Sequence, residues 1–257
     1  MKTLTLLGGI MLASSANATM VSQTVTHTIG DKSFESTLVF DDAKKGLPAI
    51  LMVPNWMGPT EGSLTKAKKI AEMGYAVMMA DVYGTDVRPS NADEAKVAAT
   101  ALRSDRPLLR ARTKAALDAM KANLPSANTD ADRVGAIGFC FGGGAVLELA
   151  RAGEAINGVV SFHGNLDTPN PTDANNITSP VLVLHGAIDP FVPAKQVADF
   201  EQEMSAAKVD WQFVAYGGAV HSFTNPAAAM TGKAEYHPKA AARSFIAMDN
   251  FFAESFN

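Results

Sequence analysis

A single cysteine lies between two glycines in a stretch whose residue types could do chemistry. Residues 134–144, VGAIGFCFGGG, begin as an apolar strand pattern, pass through Gly-x-Cys-x-Gly and continue into small residues that begin a helix. This pattern is typical of a nucleophile elbow with cysteine in place of serine. Because such a turn brings neighbouring backbone very close, we expect Gly138 and Gly142 to be needed for their lack of a Cβ.

The helix that follows the cysteine would activate its sulfur. A helix that begins near Gly143 points its positive end at Cys140, which favours the thiolate. The backbone N–H of Phe141 is then free to donate to an oxyanion. The alternative interpretation of the same tract is a buried, inert cysteine in a glycine-rich connection between a strand and a helix.

Two later residues could complete a catalytic triad. Residues 181–190, VLVLHGAIDP, form a buried-strand pattern whose exit carries Asp189, and residues 213–221, FVAYGGAVH, end on His221. Nucleophile, acid and histidine then follow one another in the chain order of α/β hydrolases. His221 would take the thiol proton, and Asp189 would orient its ring. Taken singly, Asp189 could instead cap its loop and His221 could be a solvated loop histidine.

The elements that must position these residues predict an α/β fold, the α/β-hydrolase fold, with a mostly parallel central sheet of about eight strands flanked by helices. An opening antiparallel hairpin is predicted over residues 21–29 and 33–40. The other predicted strands are short apolar runs, residues 49–53, 75–80, 133–137, 158–162, 181–185 and 211–216. Helices are predicted over residues 63–73, 92–102, 108–123, 143–152, 193–207 and 238–252. Residues 167–180 are expected to be a loop within the domain.

Composition limits the class of protein. The 257 residues, 47% hydrophobic and 19% charged, fit one α/β domain and exclude disorder, coiled coil and collagen. With 22 Lys and Arg against 26 Asp and Glu, a net charge of −4 and no basic run, we expect no nucleic-acid partner. One cysteine cannot form an intramolecular disulfide or, by itself, a thiolate zinc site. A metal site from His163, His185 and His221 is conceivable, but zinc-ligand spacing is absent, so we expect no metal and no cofactor.

The first 18 residues are expected to be a cleaved signal peptide, which leaves one domain over residues 19–257. Lys2 precedes an apolar segment, residues 4–12, and Ala16-Asn17-Ala18 fits an A-x-A cleavage site. That segment is too short to span about 30 Å of hydrocarbon, so we expect a periplasmic or secreted monomer without stable membrane insertion. An uncleaved anchor, or translation that starts at Met20, is the alternative.

Nearly all of the mature sequence resembles the dienelactone hydrolase family, α/β hydrolases with a Cys-Asp-His triad. The resemblance is carried by residues 138–143 (GFCFGG), 80–83 (ADVY), 185–189 (HGAID) and 218–223 (GAVHSF). It implies that the backbone N–H of Trp56, in the loop 54–58, is the second oxyanion donor. It also implies hydrolysis of a small ester, lactone or thioester through an acyl-cysteine intermediate.

Three positions depart from the founding pattern of that family. Asn55 stands where the pattern has a glutamate that interacts with the resting thiol. Either Cys140 is therefore kept neutral in another way, or it rests partly as a thiolate paired with His221. Thr85 and Asn225 stand where two arginines hold the lactone carboxylate, and neither side chain replaces that charge.

The missing arginines predict a different substrate preference. We expect neutral or differently placed ester, lactone or thioester substrates, with no selectivity for carboxylated dienelactones. Glu61 could substitute for the missing glutamate, although a solvated acid at the start of a helix is the simpler interpretation. Arg88, Arg103 and Arg106 could substitute for the missing arginines, although surface arginines are the simpler interpretation.

Several side chains are expected around the sulfur. Trp56 should help to wall an apolar pocket, and the predicted substrate-pocket residues are Asn55, Met57, Tyr83, His163, Phe223 and Asn225. His163 could instead make a structural hydrogen bond, and His185 is expected to be structural. A catalytically weak ligand-binding protein on a hydrolase fold is the alternative function. A redox role for the thiol ranks last because no resolving cysteine is present.

Overall fold

The computed structural model describes residues 19–127 and 129–257 of the protein. The strands of its main sheet are β1 (Met20–Ile29), β2 (Lys32–Asp41), β3 (Leu47–Val53), β4 (Ala76–Met79), β5 (Thr129–Phe139), β6 (Gly158–Phe162), β7 (Val181–Gly186) and β8 (Trp211–Tyr216). Within the described residues they form one eight-stranded sheet in the order β1-β2-β4-β3-β5-β6-β7-β8. Strands β1, β2 and β4 pair antiparallel, whereas the pairs from β4 through β8 are parallel. The predicted mostly parallel sheet is confirmed.

Helices cover both faces of this sheet. They are α1 (Glu61–Glu72), α2 (Ala92–Ser104), α3 (Arg106–Asn123), α4 (Phe141–Arg151), α5 (Ala194–Ala206) and α6 (Pro238–Ser255). One apolar cluster joins the sheet to α2, α3, α4 and α5, and the other joins it to α1 and α6. Alternate residues of a strand enter opposite clusters, as Ile50 and Leu51 of β3 do. Burial on both faces explains why the strands are continuous apolar runs.

Three short elements differ from the sequence-based prediction. A 3₁₀ helix over Leu124–Ala127 follows α3. A 3₁₀ helix over Pro171–Asn176 lies in the segment predicted as a loop. A small antiparallel hairpin joins β9 (Ala229–Met230) to β10 (Ala234–Glu235) and was not predicted. Strands of two residues are too short to carry a detectable alternation of polar and apolar positions. The hairpin nevertheless contributes to the site described below.

The predicted signal peptide, residues 1–18, lies outside the described residues. A helix that crosses a membrane needs a long apolar stretch, and none of the described helices has one. The expectation for the first residues therefore stays a prediction.

Candidate active site

Cys140 lies in the sharp turn between β5 and α4. Its φ and ψ are 55° and −117°, a conformation that residues with a side chain seldom adopt. The N–H of Cys140 donates to the carbonyl oxygen of Phe162 at 3.0 Å, and the N–H of Gly143 donates to the carbonyl oxygen of Cys140 at 3.0 Å. These bonds hold a strained turn at the carboxyl edge of the sheet, where ligands of open α/β sheets bind.

The two glycines that flank Cys140 are required by close backbone contacts. A Cβ on Gly138 would lie 1.9 Å from the carbonyl oxygen of Gly142, and a Cβ on Gly142 would lie 2.1 Å from the carbonyl oxygen of Val53. Backbone atoms in a packed interior cannot move aside as a flexible side chain can. The predicted steric requirement is therefore present, and Gly142 also packs the turn against the end of β3.

The structure brings His221 and Asp189 together with Cys140. Nδ1 of His221 lies 2.7 Å from Oδ2 of Asp189, and the His221 side chain also hydrogen-bonds with Cys140. With Nδ1 engaged by the carboxylate, Nε2 is the ring nitrogen left for the sulfur. Oδ1 of Asp189 accepts the N–H of Phe191 at 2.8 Å. The three side chains thus have the mutual geometry of nucleophile, base and orienting acid.

The small hairpin fixes the backbone of His221. The N–H of His221 donates to the carbonyl oxygen of Lys233 at 3.2 Å, and its carbonyl oxygen accepts the N–H of Glu235 at 3.1 Å. Gly232, with φ of 69°, forms the tip between the two short strands. A glycine in the turn is a weak signal, and reasoning from the sequence missed this support.

Two backbone N–H groups converge on the sulfur. Those of Phe141 and Trp56 both hydrogen-bond with Cys140. Trp56 is held in turn by Tyr83, whose hydroxyl donates to the Trp56 carbonyl oxygen at 2.9 Å. Two preorganised donors at one point are the arrangement that stabilises a developing oxyanion.

The electrostatics of the site favour an ion pair. Burial opposes ionisation of Cys140, but the charge and hydrogen bond of His221 and the N–H groups of Phe141 and Trp56 together lower the pKa of its thiol. Burial also opposes the His221 cation, yet Cys140 and Asp189 raise the pKa of the imidazole. Both directions favour a thiolate beside an imidazolium at neutral pH.

Asn55 is engaged with its own loop. Its Oδ1 accepts the N–H of Met57 at 3.0 Å, and its carbonyl oxygen accepts the N–H of Gly58 at 2.9 Å. Glu61 is an exposed residue in the first turn of α1. The Asn55 amide is not basic enough to take the thiol proton, and its oxygen accepts from its own loop, which agrees with an ionised Cys140.

The arginines considered as substitute anchors are paired with carboxylates of the protein itself. Arg88 lies 2.8 Å from Asp81, which is fully buried. Arg103 and Arg106 lie 3.4 Å and 2.7 Å from the carboxylate of Asp167. Each guanidinium therefore has a carboxylate partner within the protein, although Arg103 and Arg106 share that of Asp167 and Nη1 of Arg106 has no hydrogen-bond partner among the described residues.

The predicted pocket residues divide into two groups. Asn55, Met57 and Asn225 border a cavity of about 220 Å³ beside the loop that carries Trp56. Tyr83, His163 and Phe223 are buried behind the site, with 2%, 2% and 0% of their surface exposed. His163 makes the hydrogen bond of its structural alternative, and contact of Tyr83, His163 and Phe223 with substrate stays a prediction.

The rings of His163 and Phe223 pack on other parts of the protein. Nε2 of His163 lies 2.8 Å from Oγ1 of Thr224, and the His163 ring packs edge-on against His221 with centroids 5.2 Å apart. Phe223 packs on Tyr216 and His163 at centroid distances of 5.4 Å and 5.2 Å. His163 thus supports the position of the His221 ring, and Phe223 supports that of His163.

The other histidine considered for a metal site lies apart from this contact. His185 is buried at the end of β7, and its ring packs on Phe213 with centroids 5.3 Å apart. Its Nδ1 has no hydrogen-bond partner among the described residues. Within residues 19–127 and 129–257, no group of three or more His, Cys, Asp or Glu side chains could hold a metal ion.

Comparison with protein families shows which family contains this chain. The model of the dienelactone hydrolase family matches residues 34–256. The chain belongs to the dienelactone hydrolase family. Membership confirms the resemblance carried by the elbow and triad tracts, and it implies that this dienelactone hydrolase family protein hydrolyses ester or lactone bonds of small molecules.

Individual relatives cover most of the chain. A probable 2-oxo-3-(5-oxofuran-2-ylidene)propanoate lactonase of Bradyrhizobium sp is 30% identical over 188 residues, which are 69% of this chain and 73% of that protein. The crystal structure of the dienelactone hydrolase-like promiscuous phosphotriesterase P91 from metagenomic libraries is 38% identical, has a TM-score of 0.86 and covers 94% of this chain and 100% of its own. The structure of m3DLH is 37% identical, has a TM-score of 0.86 and covers 93% and 99%.

Proposed function

We propose that the protein is a carboxylic ester hydrolase in which Cys140 is the nucleophile and an acyl-cysteine is the intermediate. The observation that carries this proposal is the contact of Cys140 with His221 and with the N–H groups of Phe141 and Trp56. A thiolate, a proton donor and an oxyanion site at one point are the groups that acyl transfer requires.

In the first half of the reaction, the sulfur of Cys140 attacks the carbonyl carbon of the substrate. A carbon–sulfur bond forms, and the carbonyl electron pair moves to the oxygen, which accepts the N–H groups of Phe141 and Trp56. When the tetrahedral intermediate collapses, the bond to the leaving group breaks. The imidazolium of His221 gives its proton to the departing oxygen or sulfur, which leaves an acyl-cysteine and a neutral imidazole.

In the second half, water releases the acid. Neutral His221 takes a proton from water, and the hydroxide adds to the acyl carbon through a second tetrahedral intermediate. The carbon–sulfur bond then breaks, so that the thiolate and imidazolium are restored. Asp189 keeps the ring oriented and stabilises its cation throughout. Atoms and charges balance without a cofactor.

The proposed substrates are neutral esters, lactones or thioesters, without selectivity for carboxylated dienelactones. Thr85 and Asn225 support this, as does the pairing of Arg88 with Asp81. The test compares kcat/KM for a carboxylated dienelactone and its methyl ester. Comparable values are expected, and a large preference for the free acid would contradict the proposal.

The nucleophile is tested with a panel of p-nitrophenyl esters. We expect C140A to lower kcat/KM by about 10³-fold or more, because the remaining groups cannot form the covalent intermediate. Intact mass of the native protein after mixing with ester should show an added acyl group that C140A lacks. Circular dichroism controls for folding. Equal rates for the two proteins would favour the ligand-binding alternative.

Phosphotriester hydrolysis is a second candidate activity. It is favoured by the 38% identity to P91, which is described as a promiscuous phosphotriesterase. A phosphoryl oxygen can accept the same two N–H groups while the Cys140 sulfur bonds to phosphorus and the bond to the aryloxide leaving group breaks. Water then hydrolyses the sulfur–phosphorus bond, which restores the thiolate and releases the phosphodiester. Release of p-nitrophenol from diethyl p-nitrophenyl phosphate by the native protein, lost in C140A, is the expected result. No release above buffer would remove this candidate.

We also propose that the protein is exported as a monomer to the periplasm or the medium. The support is the composition of residues 1–18, with an A-x-A site before Thr19. The mature protein from its native source should begin at Thr19, by intact mass. A mass that includes residues 1–18 would contradict cleavage.

A further inference from the structure

Lys66 turns inward from a helix on which its neighbouring lysines face solvent. It lies in α1, and its Nζ is 3.3 Å from Oγ1 of Thr224 and 3.9 Å from the centroid of the Phe139 ring. Lys68 and Lys69 on the same helix are exposed, whereas Lys66 is partly buried. The sequence pattern is that of a solvated charged face, so this position was not singled out from it.

The Lys66 ammonium has no carboxylate partner in the part of the chain that the structure describes. It has three donors, and Thr224 is the acceptor that it reaches, with the face of Phe139 as a second favourable contact. A partly buried cation without a counterion is unfavourable unless a negative charge lies nearby. Phe139 directly precedes Cys140, and Lys66 interacts electrostatically with that thiol.

Lys66 and Asn55 both line the small cavity beside the site. At this position a glutamate would disfavour a thiolate by like-charge repulsion, whereas the amide of Asn55 does not. A cation and a neutral amide at this place therefore favour the ionised form of Cys140, whereas a carboxylate would disfavour it.

We propose that Lys66 is a positioning residue for the nucleophile: its ammonium, tethered by Thr224, acts with His221 to hold Cys140 as a thiolate in the resting enzyme. The inference rests on the proposed function, since Cys140 must be the nucleophile for it to matter in turnover. It adds to the triad a second cation, supplied by α1.

The tether also connects Lys66 with the base. The Thr224 hydroxyl accepts from Lys66 and can donate its own hydrogen to Nε2 of His163, 2.8 Å away. Burial holds the pKa of His163 well below its ordinary value, and the charges of His221 and Lys66 lower it further. A neutral His163 therefore packs against His221, and no third cation opposes the imidazolium.

The charges around the pair are accounted for on each side. The pKa of Lys66 is lowered to about 8; burial is the largest cause, Lys69 lowers it further, and Cys140 raises it. On the opposite side, burial and Cys140 raise the pKa of Tyr83, so that it stays a neutral phenol. Asp189 faces His221 and not the sulfur. Among the described residues, His221 lowers the pKa of the Cys140 thiol, and Lys66 interacts electrostatically with Cys140.

The test is the rate of iodoacetamide alkylation of Cys140 as a function of pH, measured on the native protein, K66M and K68M. Removal of the Lys66 charge should move the inflection of K66M upward by about half to one pH unit, with alkylation about 3- to 10-fold slower below the inflection. K68M is the matched control on the solvent side of α1 and should follow the native curve. For a neutral ester, K66M should lower kcat at acidic pH and leave KM unchanged.

Further variants separate the outcomes. K66R keeps the charge and should restore the native inflection, and K66Q replaces K66M if the latter does not fold. Identical curves for the native protein and a folded K66M or K66Q would overturn the inference, even where C140A has abolished ester hydrolysis. A loss confined to KM for esters that carry a carboxylate would also overturn it, because Lys66 would then hold substrate. If instead C140A keeps full activity, the proposed function fails, while the alkylation curves still report the charge.

Discussion

Asp189 divides its two carboxylate oxygens between the His221 ring and its own loop. Oδ2 lies 2.7 Å from Nδ1 of His221, and Oδ1 accepts the N–H of Phe191 at 2.8 Å. The side chain is buried, so water does not compete strongly for either oxygen. One oxygen therefore fixes the tautomer of the His221 ring, and the other fixes the carboxylate to its own loop.

Replacement of this carboxylate by an amide should impair catalysis more than folding. D189N keeps the shape of the side chain but removes the charge that stabilises the imidazolium, and it favours the wrong tautomer. We expect kcat/KM for a p-nitrophenyl ester to fall by about 10³- to 10⁴-fold. Thermal unfolding should show that the variant is folded. A decrease of less than tenfold would argue against the orienting role of Asp189.

The pH dependence follows from the direction of two pKa shifts. The pKa of Cys140 is lowered, so the thiolate persists at neutral pH and is lost only as the pH falls through that lowered value. The pKa of His221 is raised, so the imidazolium loses its proton only as the pH rises through that raised value. Alkylation should therefore show an inflection well below the ordinary thiol value of about 8.5. Ester hydrolysis should be level across neutral pH and fall on both sides.

An ordinary thiol would behave differently. Its alkylation rate would rise with pH through a single inflection at about 8.5, with no inflection below that value. Such a curve would exclude the resting ion pair and would favour a Cys140 that is kept neutral until substrate binds.

The elbow glycines give a stability prediction with a matched control. G138A would place a Cβ 1.9 Å from a carbonyl oxygen, whereas nothing lies within 4 Å of a Cβ at Gly217. We expect G138A to lower the free energy of unfolding by about 3 kcal/mol or more, and G217A to change it by less than about 1 kcal/mol. Urea unfolding measures both. Similar stabilities for the two variants would contradict the close contact at the elbow.

Tyr83 should affect turnover through the loop that carries Trp56. Y83F keeps the buried ring but removes the hydroxyl that donates to the Trp56 carbonyl oxygen. We expect a loss of about 1 kcal/mol in the free energy of unfolding and a decrease of about 5- to 10-fold in kcat, with KM nearly unchanged. If stability falls while kcat does not, the oxyanion loop is held by other contacts.

The fold was largely predictable because its strands are buried on both faces. Strands β6 and β8 coincide with the predicted residues 158–162 and 211–216, and α4 begins two residues before the predicted start at residue 143. That difference arises because the strained turn at Cys140 leads directly into the first helical residue. Continuous apolar runs and flanking glycines are local signals, so the sequence carries them.

The surroundings of the sulfur were less predictable because they depend on which way side chains face in the folded chain. Tyr83, His163 and Phe223 follow strands and were expected beside substrate, and the sequence did not indicate how completely their rings are buried. Lys66 shows a similar difference, since a lysine next to exposed lysines lies over the ring of Phe139, the residue before Cys140. The spacing of residues along one segment does not show which way these side chains face, because contacts between distant segments of the chain determine it.

The close contact between Gly142 and Val53 limits which parts of the site can be substituted. The turn that carries the sulfur packs directly on the end of β3, which leads to Trp56, and no side chain fits between the two backbones. The loop beside them, in contrast, presents Ile188 and Phe191 to solvent, with 60% and 53% of their surface exposed. Redesign of substrate preference can therefore be directed at the exposed side chain of Ile188, whereas Phe191 holds Asp189 through its N–H and packs on His221.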